Sequence, residues 1–357
     1  MSSEERILLV RLSHLGDVVH ALPVFHALRA ARPRARLGWV VQREFAPLLE
    51  GLPGLDEVLV FDRRGGARAW LELSERLARF DATWSVDAQG NLKSAMVALA
   101  ARAPRRSGYA WSDWRERAGA LSLTDSAAPA STRGAALHAV ERASALAAHV
   151  AGREVAPSFG LGLSAEELER GRAALARRAP PGAGSLVLLA PARAGDVRAW
   201  PIEHVAALAR GAAHAGLRVL VLGGPAEAAE GAALERALAG LPRVTHWVAQ
   251  RGLRELAGVF AAAADAGARF VGCDSGPLHL AAACGLACVL LHGPQDPRRT
   301  GPWPPADAAG SAHRCVGAAD PPACAPCLAR RCAHAQGPVC MSGLAPARVL
   351  DALLAGA

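Results

Sequence analysis

Short apolar runs alternate with longer amphipathic segments along the first half of the chain. The runs ILLV at 7–10, RLGWVV at 36–41, EVLVF at 57–61 and ATWSV at 82–86 are each followed by a segment with helical spacing. Parallel strands cannot be joined by a tight turn and need a crossover, which is usually a helix. The alternation therefore predicts repeated β-α units and an α/β fold with a parallel sheet covered by helices.

The same rhythm restarts in the second half of the chain. Ser164, with Glu167 three residues later, has the form of a capping box that opens a helix. Apolar runs follow at 186–190, 217–222 and 269–273. Between the second and third of these runs, we predict one long alanine-rich helix.

Two series of similar size predict two doubly wound, Rossmann-like domains that face each other across a cleft. We place them at 1–165 and 166–357 and expect the last helix to pack back on the first domain. A chain of 357 residues, 52% of them hydrophobic, is long enough to bury two cores. Ligands of open parallel sheets bind beyond the carboxyl ends of the strands, so candidate site residues should follow strands.

The formal net charge of +8 favours an anionic partner, such as a phosphorylated substrate, an acidic membrane surface or nucleic acid. Aromatic residues make up only 4% of the chain and are not interleaved with basic ones. Stacking on bases therefore has little support, and we expect no nucleic-acid partner. Lys93 is the single lysine among 40 Lys and Arg residues, and a local need for a compact ammonium group would explain it.

The N-terminus lacks a basic start followed by an apolar stretch, and no uncharged apolar run reaches 18 residues. We therefore expect a cytoplasmic protein with reduced cysteines. Five of the eight cysteines lie in a Pro- and Ala-rich stretch, 301–340, that we expect to be irregular. Their spacing permits a zinc site, but it holds one close pair instead of two, so we favour a structural role without metal. These cysteines are Cys315, Cys324, Cys327, Cys332 and Cys340.

The segment RLSHLGDVVHALP, 11–23, follows the first apolar run and places Asp17 where a helix begins. One interpretation is a helix cap, which the helix dipole favours. The other is a general base, because a carboxylate at the end of the first strand could take a proton from a substrate hydroxyl.

The segment FVGCDSGPLHLAAA, 270–283, predicts a strand that ends at Asp274 and a helix that opens near Pro277. Free N–H groups of the turn and the helix N-terminus would form an anion site for a diphosphate. His279, one turn into the helix, is a candidate hydrogen-bond partner for a phosphate or sugar hydroxyl, or else a structural histidine.

Two further loops follow strands of the second domain. In APARAGDVRAWP, Arg193 and Arg198 could neutralise diphosphate charge, and in LGGPAE, Glu227 could accept hydrogen bonds from ribose hydroxyls. Loop arginines are usually solvated, so their support comes from the neighbouring motifs.

Five motifs occur in order: LSHLGDVVHALP, DAQGNLKSA, HAVER, RAWP and DSGPLHLAAA. In this combination the chain resembles the ADP-heptose:lipopolysaccharide heptosyltransferases, glycosyltransferases of family 9 with the two-domain GT-B fold. The first-domain motifs most resemble the heptosyltransferase I branch, which adds the first heptose to the Kdo of the lipid A inner core. The resemblance implies metal-independent, inverting transfer from ADP-L-glycero-D-manno-heptose, with no cofactor.

The resemblance also implies roles for individual residues. Asp17 matches the family's catalytic base, and Arg11 matches its strand-end basic residue in the same site. Arg198 matches a lysine that contacts the donor phosphates, a change from a point ammonium to a planar fork. The other residues that fall on or near the donor site are Asp274, Ser275, Gly276, His279 and, close to the ribose-binding glutamate, Glu227.

One departure lies beside the expected phosphates. Where heptosyltransferase I has paired threonines, this chain reads Ala192, Arg193 and Ala194, so Arg193 is expected to replace the lost hydroxyl donors.

A Kdo-bearing lipid A presents carboxylates and phosphates at the inner membrane surface. The resemblance therefore implies a basic acceptor site in the first domain and peripheral association with the cytoplasmic face of that membrane. Any one basic residue alone could be a solvated surface group, and only the set supports the site. The candidate acceptor-binding residues are Arg63, Arg64, Lys93, His138 and Arg142.

Two other functions stay open on the sequence. The chain could transfer a second or third heptose or another nucleotide-linked sugar, which acceptor competition would separate. It could also be a non-catalytic module that binds an ADP-sugar, in which case Asp17 is only a cap.

Overall fold

The computed structural model describes residues 4–129, 137–248 and 252–355. The chain forms two compact units, Met1–Leu163 and Ser164–Ala357, each with its own parallel sheet. The second unit begins at Ser164, which is the N-cap of a helix. Ser164 Oγ accepts a hydrogen bond from the Glu167 N–H, as the predicted capping box requires.

The first unit alternates strands and helices. Its strands are β1 (Arg6–Val10), β2 (Arg36–Gln42), β3 (Glu57–Phe61), β4 (Trp84–Asp87), β5 (Arg105–Gly108) and β6 (Asp125–Ser126). Its helices are α1 (Leu15–Ala31), α2 (Ala46–Leu49), α3 (Gly66–Phe80), α4 (Leu92–Ala100) and α5 (Ala139–Ala151), with 3₁₀ turns at Trp111–Asp113 and Arg117–Ser122.

All strand pairs of this sheet are parallel, in the order β3-β2-β1-β4-β5-β6. The central strand β1 is apolar along four consecutive residues, as expected for a strand covered on both faces. Helices α3 and α4 contribute Leu73, Leu77 and Val97 to a core with Leu8 and Val10 of β1. The predicted α/β fold with doubly wound sheets is confirmed.

The second unit repeats this plan. Its strands are β7 (Leu186–Ala190), β8 (Arg218–Leu222), β9 (Val244–Trp247), β10 (Arg269–Cys273), β11 (Ala287–Leu291) and β12 (Arg314–Val316). Its helices are α6 (Ala165–Arg178), α7 (Ile202–His214), α8 (Ala228–Ala237), α9 (Leu253–Asp265), α10 (Gly276–Ala283), α11 (Pro297–Thr300), α12 (Val339–Ser342) and α13 (Pro346–Leu354), with a 3₁₀ turn at Pro225–Glu227. The sheet order is β12-β11-β10-β7-β8-β9, again parallel throughout.

Two predictions for the second unit are wrong, and a third holds for most of its residues. The expected single alanine-rich helix is two helices, α8 and α9, separated by β9, because Gly240 adopts φ +81° and Pro242 follows it. The stretch 301–340 is mostly irregular, as expected, except for the three-residue strand β12 and the start of α12. The last helix, α13, packs within the second unit, because Val349 and Leu353 are buried in that unit's core.

Within the described part of the chain, no helix combines the length and the apolar content needed to cross a lipid bilayer.

Helices α6 and α9 cross so closely that only glycine fits at the crossing. A Cβ on Gly171 of α6 would lie 2.3 Å from the backbone carbonyl carbon of Gly258 in α9. A contact this short with backbone cannot be relieved by a rotamer change, so the two helices would have to move apart.

We predict that Gly171→Ala lowers the free energy of unfolding by about 1–3 kcal/mol. The matched control is Gly211→Ala in α7, where the new Cβ would meet only the flexible Leu350 side chain at 3.1 Å. There the gain in helix propensity should leave stability unchanged or slightly higher. Urea titration of both variants, followed by circular dichroism, checks this, and equal midpoints would contradict it.

Candidate active site

In the first unit, the topology leaves a crevice between β1 and β4. The chain proceeds from β1 towards β2 on one side and from β4 towards β5 on the other. The helices that follow these two strands therefore lie on opposite faces of the sheet, and the crevice between their N-termini is the usual ligand site of such folds. Arg11 follows β1, and Asp87 ends β4.

Arg11 and Asp17 form an ion pair at this crevice. Arg11 is only 8% exposed, and its Nη2 lies 2.6 Å from Asp17 Oδ1. Asp17 is the third residue of α1, and its Oδ2 accepts the His14 backbone N–H at 3.0 Å. The N-cap of α1 is His14, and Asp17 completes its capping box. Arg11 and Asp17 lie together, and their catalytic roles stay a prediction.

The ion pair keeps Asp17 charged while leaving it accessible. Burial opposes ionisation, but the Arg11 charge and the hydrogen bonds from His14 outweigh it and hold the pKa of Asp17 well below its usual range. The Asp17 side chain is nevertheless 41% exposed. An ionised carboxylate with open lone pairs can still accept a proton from a bound hydroxyl.

A buried polar layer supports Arg11 from beneath. The Ala88 carbonyl accepts from Arg11 Nη1 and, at 3.1 Å, from the Tyr109 hydroxyl. Asp87 Oδ1 accepts the N–H groups of Gln89 at 2.8 Å and Gly90 at 2.9 Å, and burial raises the pKa of Asp87. Asp87 lies in the motif DAQGNLKSA, whereas no motif or spacing in the sequence pointed to Tyr109.

The structure places two predicted acceptor residues near this layer. The Arg142 guanidinium lies 5.6 Å from the centre of the Tyr109 ring. His138 is the N-cap of α5 and is only 2% exposed, with its Nδ1 accepting the Val140 N–H at 3.1 Å. The contacts of His138 are those of a buried helix cap, and an acceptor role for it stays a prediction.

The other predicted acceptor residues lie farther along the sheet. Arg63 and Arg64 are exposed in the turn that follows β3, an edge strand two places from β1. Lys93 is the second residue of α4 and is half-buried. All three follow carboxyl ends of strands, as expected, but none has a described contact with Asp17.

The second unit has its own crevice, between β7 and β10, and Arg198 lies there. Asp196 holds the Arg198 guanidinium on two sides, with Nε to Oδ1 at 2.9 Å and Nη2 to Oδ2 at 2.7 Å. Arg198 Nη1 donates to the Asp274 carbonyl oxygen at 2.5 Å. The hydrogen bonds between Asp196 and Arg198 raise the pKa of Arg198 and lower the pKa of Asp196.

Asp274 and His279 brace the turn from inside. Asp274 Oδ1 lies 2.9 Å from His279 Nε2, and its Oδ2 accepts from the Thr300 hydroxyl at 2.8 Å. Burial favours the neutral acid, but the contacts with His279, Thr300 and Arg198 outweigh it and lower the pKa of Asp274. His279 is 6% exposed, so the structure supports its structural alternative over direct contact through Nε2 with a phosphate.

The turn at Ser275 and Gly276, which Asp274 and His279 support, has the features of an anion site. Ser275 is the N-cap of α10, its side chain makes no capping hydrogen bond, and the helix begins at Gly276, one residue before the predicted Pro277. The positive end of the helix dipole faces an anion through the Gly276 N–H, with the Arg198 cation beside it, whereas Pro277 has no N–H and the Leu278 N–H donates to the Ser275 carbonyl at 3.1 Å. Ser275 and Gly276 are therefore better placed than Asp274 and His279 to touch a ligand.

The remaining donor candidates lie on neighbouring loops. Arg193 is exposed. Glu227 Oε2 accepts the Gly224 N–H at 3.0 Å. Glu230, which sequence reasoning missed, accepts the Ala194 N–H through Oε1 at 2.6 Å and so anchors the loop that carries Arg193.

Burial keeps several cysteine thiols protonated. It raises the pKa of Cys273, Cys284 and Cys315 to about 12 and also raises the pKa of Cys340. Among the residues that the structure describes, no three or more His, Cys, Asp or Glu side chains are grouped to hold a metal ion.

Known proteins resemble this chain in sequence. The family model for glycosyltransferase family 9 (heptosyltransferase) matches residues 70–333. Lipopolysaccharide heptosyltransferase 1 of Pseudomonas aeruginosa is 32% identical over 98% of both chains. The protein of the same name from Escherichia coli K12 is 29% identical over 82% of this chain and 89% of its own length.

Solved structures share the fold. The E. coli heptosyltransferase WaaC with ADP superposes with a TM-score of 0.73 at 23% identity, covering 99% of this chain and 100% of the other. The E. coli ADP-heptose lps heptosyltransferase II gives a TM-score of 0.72 at 23% identity over 98% of each chain. A family match over most of the chain, together with a full-length relative at 32% identity, shows that this protein belongs to glycosyltransferase family 9, the heptosyltransferases.

Proposed function

We propose that this glycosyltransferase moves heptose from ADP-L-glycero-D-manno-heptose to the Kdo of the lipid A inner core. The observation that carries the proposal is the accessible, ionised Asp17, held by Arg11 at the crevice of the first unit. The curated relatives named lipopolysaccharide heptosyltransferase 1 support transfer of the first heptose over that of a later one. A non-catalytic module would not need the exposed lone pairs of Asp17.

The donor diphosphate binds at the N-terminus of α10, where Ser275, Gly276 and Arg198 meet. Exposed Arg193 adds positive charge beside it, and Glu227 accepts from the ribose hydroxyls. The hydrogen-bond donors and positive charges grouped at this point stabilise the negative charge that develops on the leaving ADP. Electrostatics of this kind supports departure of ADP without a metal ion or cofactor.

Transfer is a single displacement that inverts the configuration at the sugar carbon. The acceptor hydroxyl oxygen attacks C1 of the heptose, its proton passes to Asp17, and the bond between C1 and the diphosphate oxygen breaks. Both electrons of that bond leave with ADP. Arg63, Arg64, Lys93, His138 and Arg142 supply the positive surroundings of the acidic acceptor, and the enzyme works at the cytoplasmic face of the inner membrane.

The test is a mass-spectrometric transfer assay with ADP-heptose and Kdo-lipid A in EDTA. We expect the wild type to form the heptosylated product and Asp17→Asn to lose about 10²- to 10⁴-fold in rate, because the base is removed while the shape is kept. Asp320→Asn, at an exposed site in the second unit, is the matched control. Full activity of Asp17→Asn would leave Asp17 as a cap alone.

The Arg11 charge should set the acid limit of activity. Because Arg11 lowers the pKa of Asp17, the wild type should keep kcat/KM as the pH falls through the usual range of a carboxyl group. In Arg11→Met that lowering is lost while the burial that raises the pKa remains, so kcat/KM should fall at a higher pH than in the wild type. Arg43→Met, which removes a guanidinium paired with Asp62, should leave the profile unmoved, and identical profiles for all three proteins would refute the role of Arg11.

Asp196 should matter for ADP binding only while residue 198 is arginine. We expect Asp196→Asn to weaken ADP binding about tenfold, since the Arg198 guanidinium loses its charge-assisted hydrogen bonds to the Asp196 carboxylate. In an Arg198→Lys background the same change should have little effect, because an ammonium does not need a planar partner. Calorimetric titration of the four proteins with ADP measures the coupling, and an equal effect in both backgrounds would show that Asp196 acts on the loop alone.

A further inference from the structure

The outer face of α4 is apolar and uncovered. Leu92, Met96 and Leu99 recur at the spacing of one helix face and are 48%, 55% and 52% exposed. The opposite face supplies Val97 to the core. A helix on the surface of a water-soluble protein normally carries polar residues on its outer face, so this stripe departs from the usual pattern.

A neighbouring turn extends the stripe. The 3₁₀ turn Arg117–Ser122 runs alongside α4, because Glu116 Oε2 accepts the Leu92 N–H at 2.8 Å and a Cβ on Gly119 would lie 3.4 Å from the Ala95 Cβ. This register carries Leu121, which is 76% exposed, towards the Leu99 end of the helix. We name Leu92, Met96, Leu99 and Leu121 the α4 patch.

The surroundings of the α4 patch are basic. Lys93 lies on α4 itself, Arg102 follows the end of the helix, and exposed Arg115 and Arg117 flank the turn. Two acids also lie here, Asp113 and Glu116, the second of which accepts the Leu92 N–H through Oε2, so basic residues outnumber acidic ones by four to two. Apolar side chains ringed by cations fit a bilayer with anionic headgroups, where the former enter the acyl boundary and the latter meet phosphates.

Trp111 adds a further interfacial group. It lies in the 3₁₀ turn Trp111–Asp113, adjoining the turn that carries Leu121, and is 48% exposed. Tryptophan favours the boundary between headgroups and acyl chains, because its ring is apolar and its N–H is polar.

A second copy of the chain fits the same surface less well than a bilayer does. A symmetric contact would bring the basic residues around the α4 patch of one copy against those of the other.

We propose that the α4 patch and its basic rim dock this protein on an anionic lipid bilayer. The inference rests on the proposed function in one respect, that the acceptor is lipid-anchored. It adds the surface that meets the membrane. Docking by side chains on the first unit holds that unit, with Asp17 beyond the carboxyl end of the central strand β1, at the surface where such an acceptor is found.

The test is cosedimentation of the full chain, without donor or acceptor, with vesicles of phosphatidylethanolamine and phosphatidylglycerol or of phosphatidylcholine alone. We expect the wild type to sediment with the anionic vesicles and Met96→Ser/Leu121→Ser to bind them about tenfold more weakly, from the lost burial of two apolar side chains. Arg115→Gln/Arg117→Gln should weaken binding mainly at low salt. Leu354→Ser, at a 40% exposed leucine of the second unit, should bind as the wild type does.

Three results would overturn the proposal. The wild type could stay in the supernatant, the Met96→Ser/Leu121→Ser variant could bind vesicles as well as the wild type, or the wild type could form a dimer that is lost in this variant while neither protein binds vesicles.

Transfer to a deacylated, water-soluble Kdo acceptor separates this proposal from the proposed function. The Met96→Ser/Leu121→Ser variant should match the wild type there and fall behind only on vesicle-embedded acceptor. Loss of transfer by the wild type on both acceptors, with the vesicle results intact, would refute the proposed function and leave the docking surface in place.

Discussion

In each unit, one arginine joins the two strand ends where the sheet order reverses. Arg11 follows β1 and donates to the Ala88 carbonyl beyond β4, and Arg198 follows β7 and donates to the Asp274 carbonyl beyond β10. Each arginine is also held by a carboxylate, Asp17 in one unit and Asp196 in the other. The crevices of both sheets therefore have the same chemical basis, a guanidinium that satisfies a strand-end carbonyl.

The two crevices use this shared basis differently. In the first unit, the carboxylate partner is the exposed group, so the arginine keeps a base ionised. In the second unit, the Asp196 side chain is 29% exposed and Asp274 lies inside the turn, which leaves the helix N-terminus as the positive surface. The two ion pairs thus differ in exposure: Asp17 is 41% exposed beside a 9% exposed Arg11, whereas Asp196 and Arg198 are 29% and 35% exposed, and the two proposed roles rest on this difference.

The sequence predicted what depends on periodicity and local caps. The parallel α/β units, the Ser164 cap and Asp17 at the start of α1 are confirmed, and α10 begins one residue before the predicted Pro277, because each of these features is decided by a few neighbouring residues. The errors depend on distant contacts. Tyr109 and Thr300 join the sites through bonds to Ala88 and Asp274, and no pattern in the chain links residues 21 or 26 positions apart. Helix α13 was misplaced for the same reason, since its partners in the core are set by tertiary packing.

The hydrogen bonds from Arg198 to Asp196 reduce the entropy that Arg198 would lose on binding an anion. A free arginine side chain carries about 2 kcal/mol of rotamer entropy, and much of this is lost when a ligand fixes it. Here the Arg198 guanidinium is already oriented by hydrogen bonds within the chain, so its rotamer entropy is lost during folding and not when a ligand binds. An arginine at position 198 can therefore serve where a lysine would have to be ordered anew in each binding event, provided that Asp196 accompanies it.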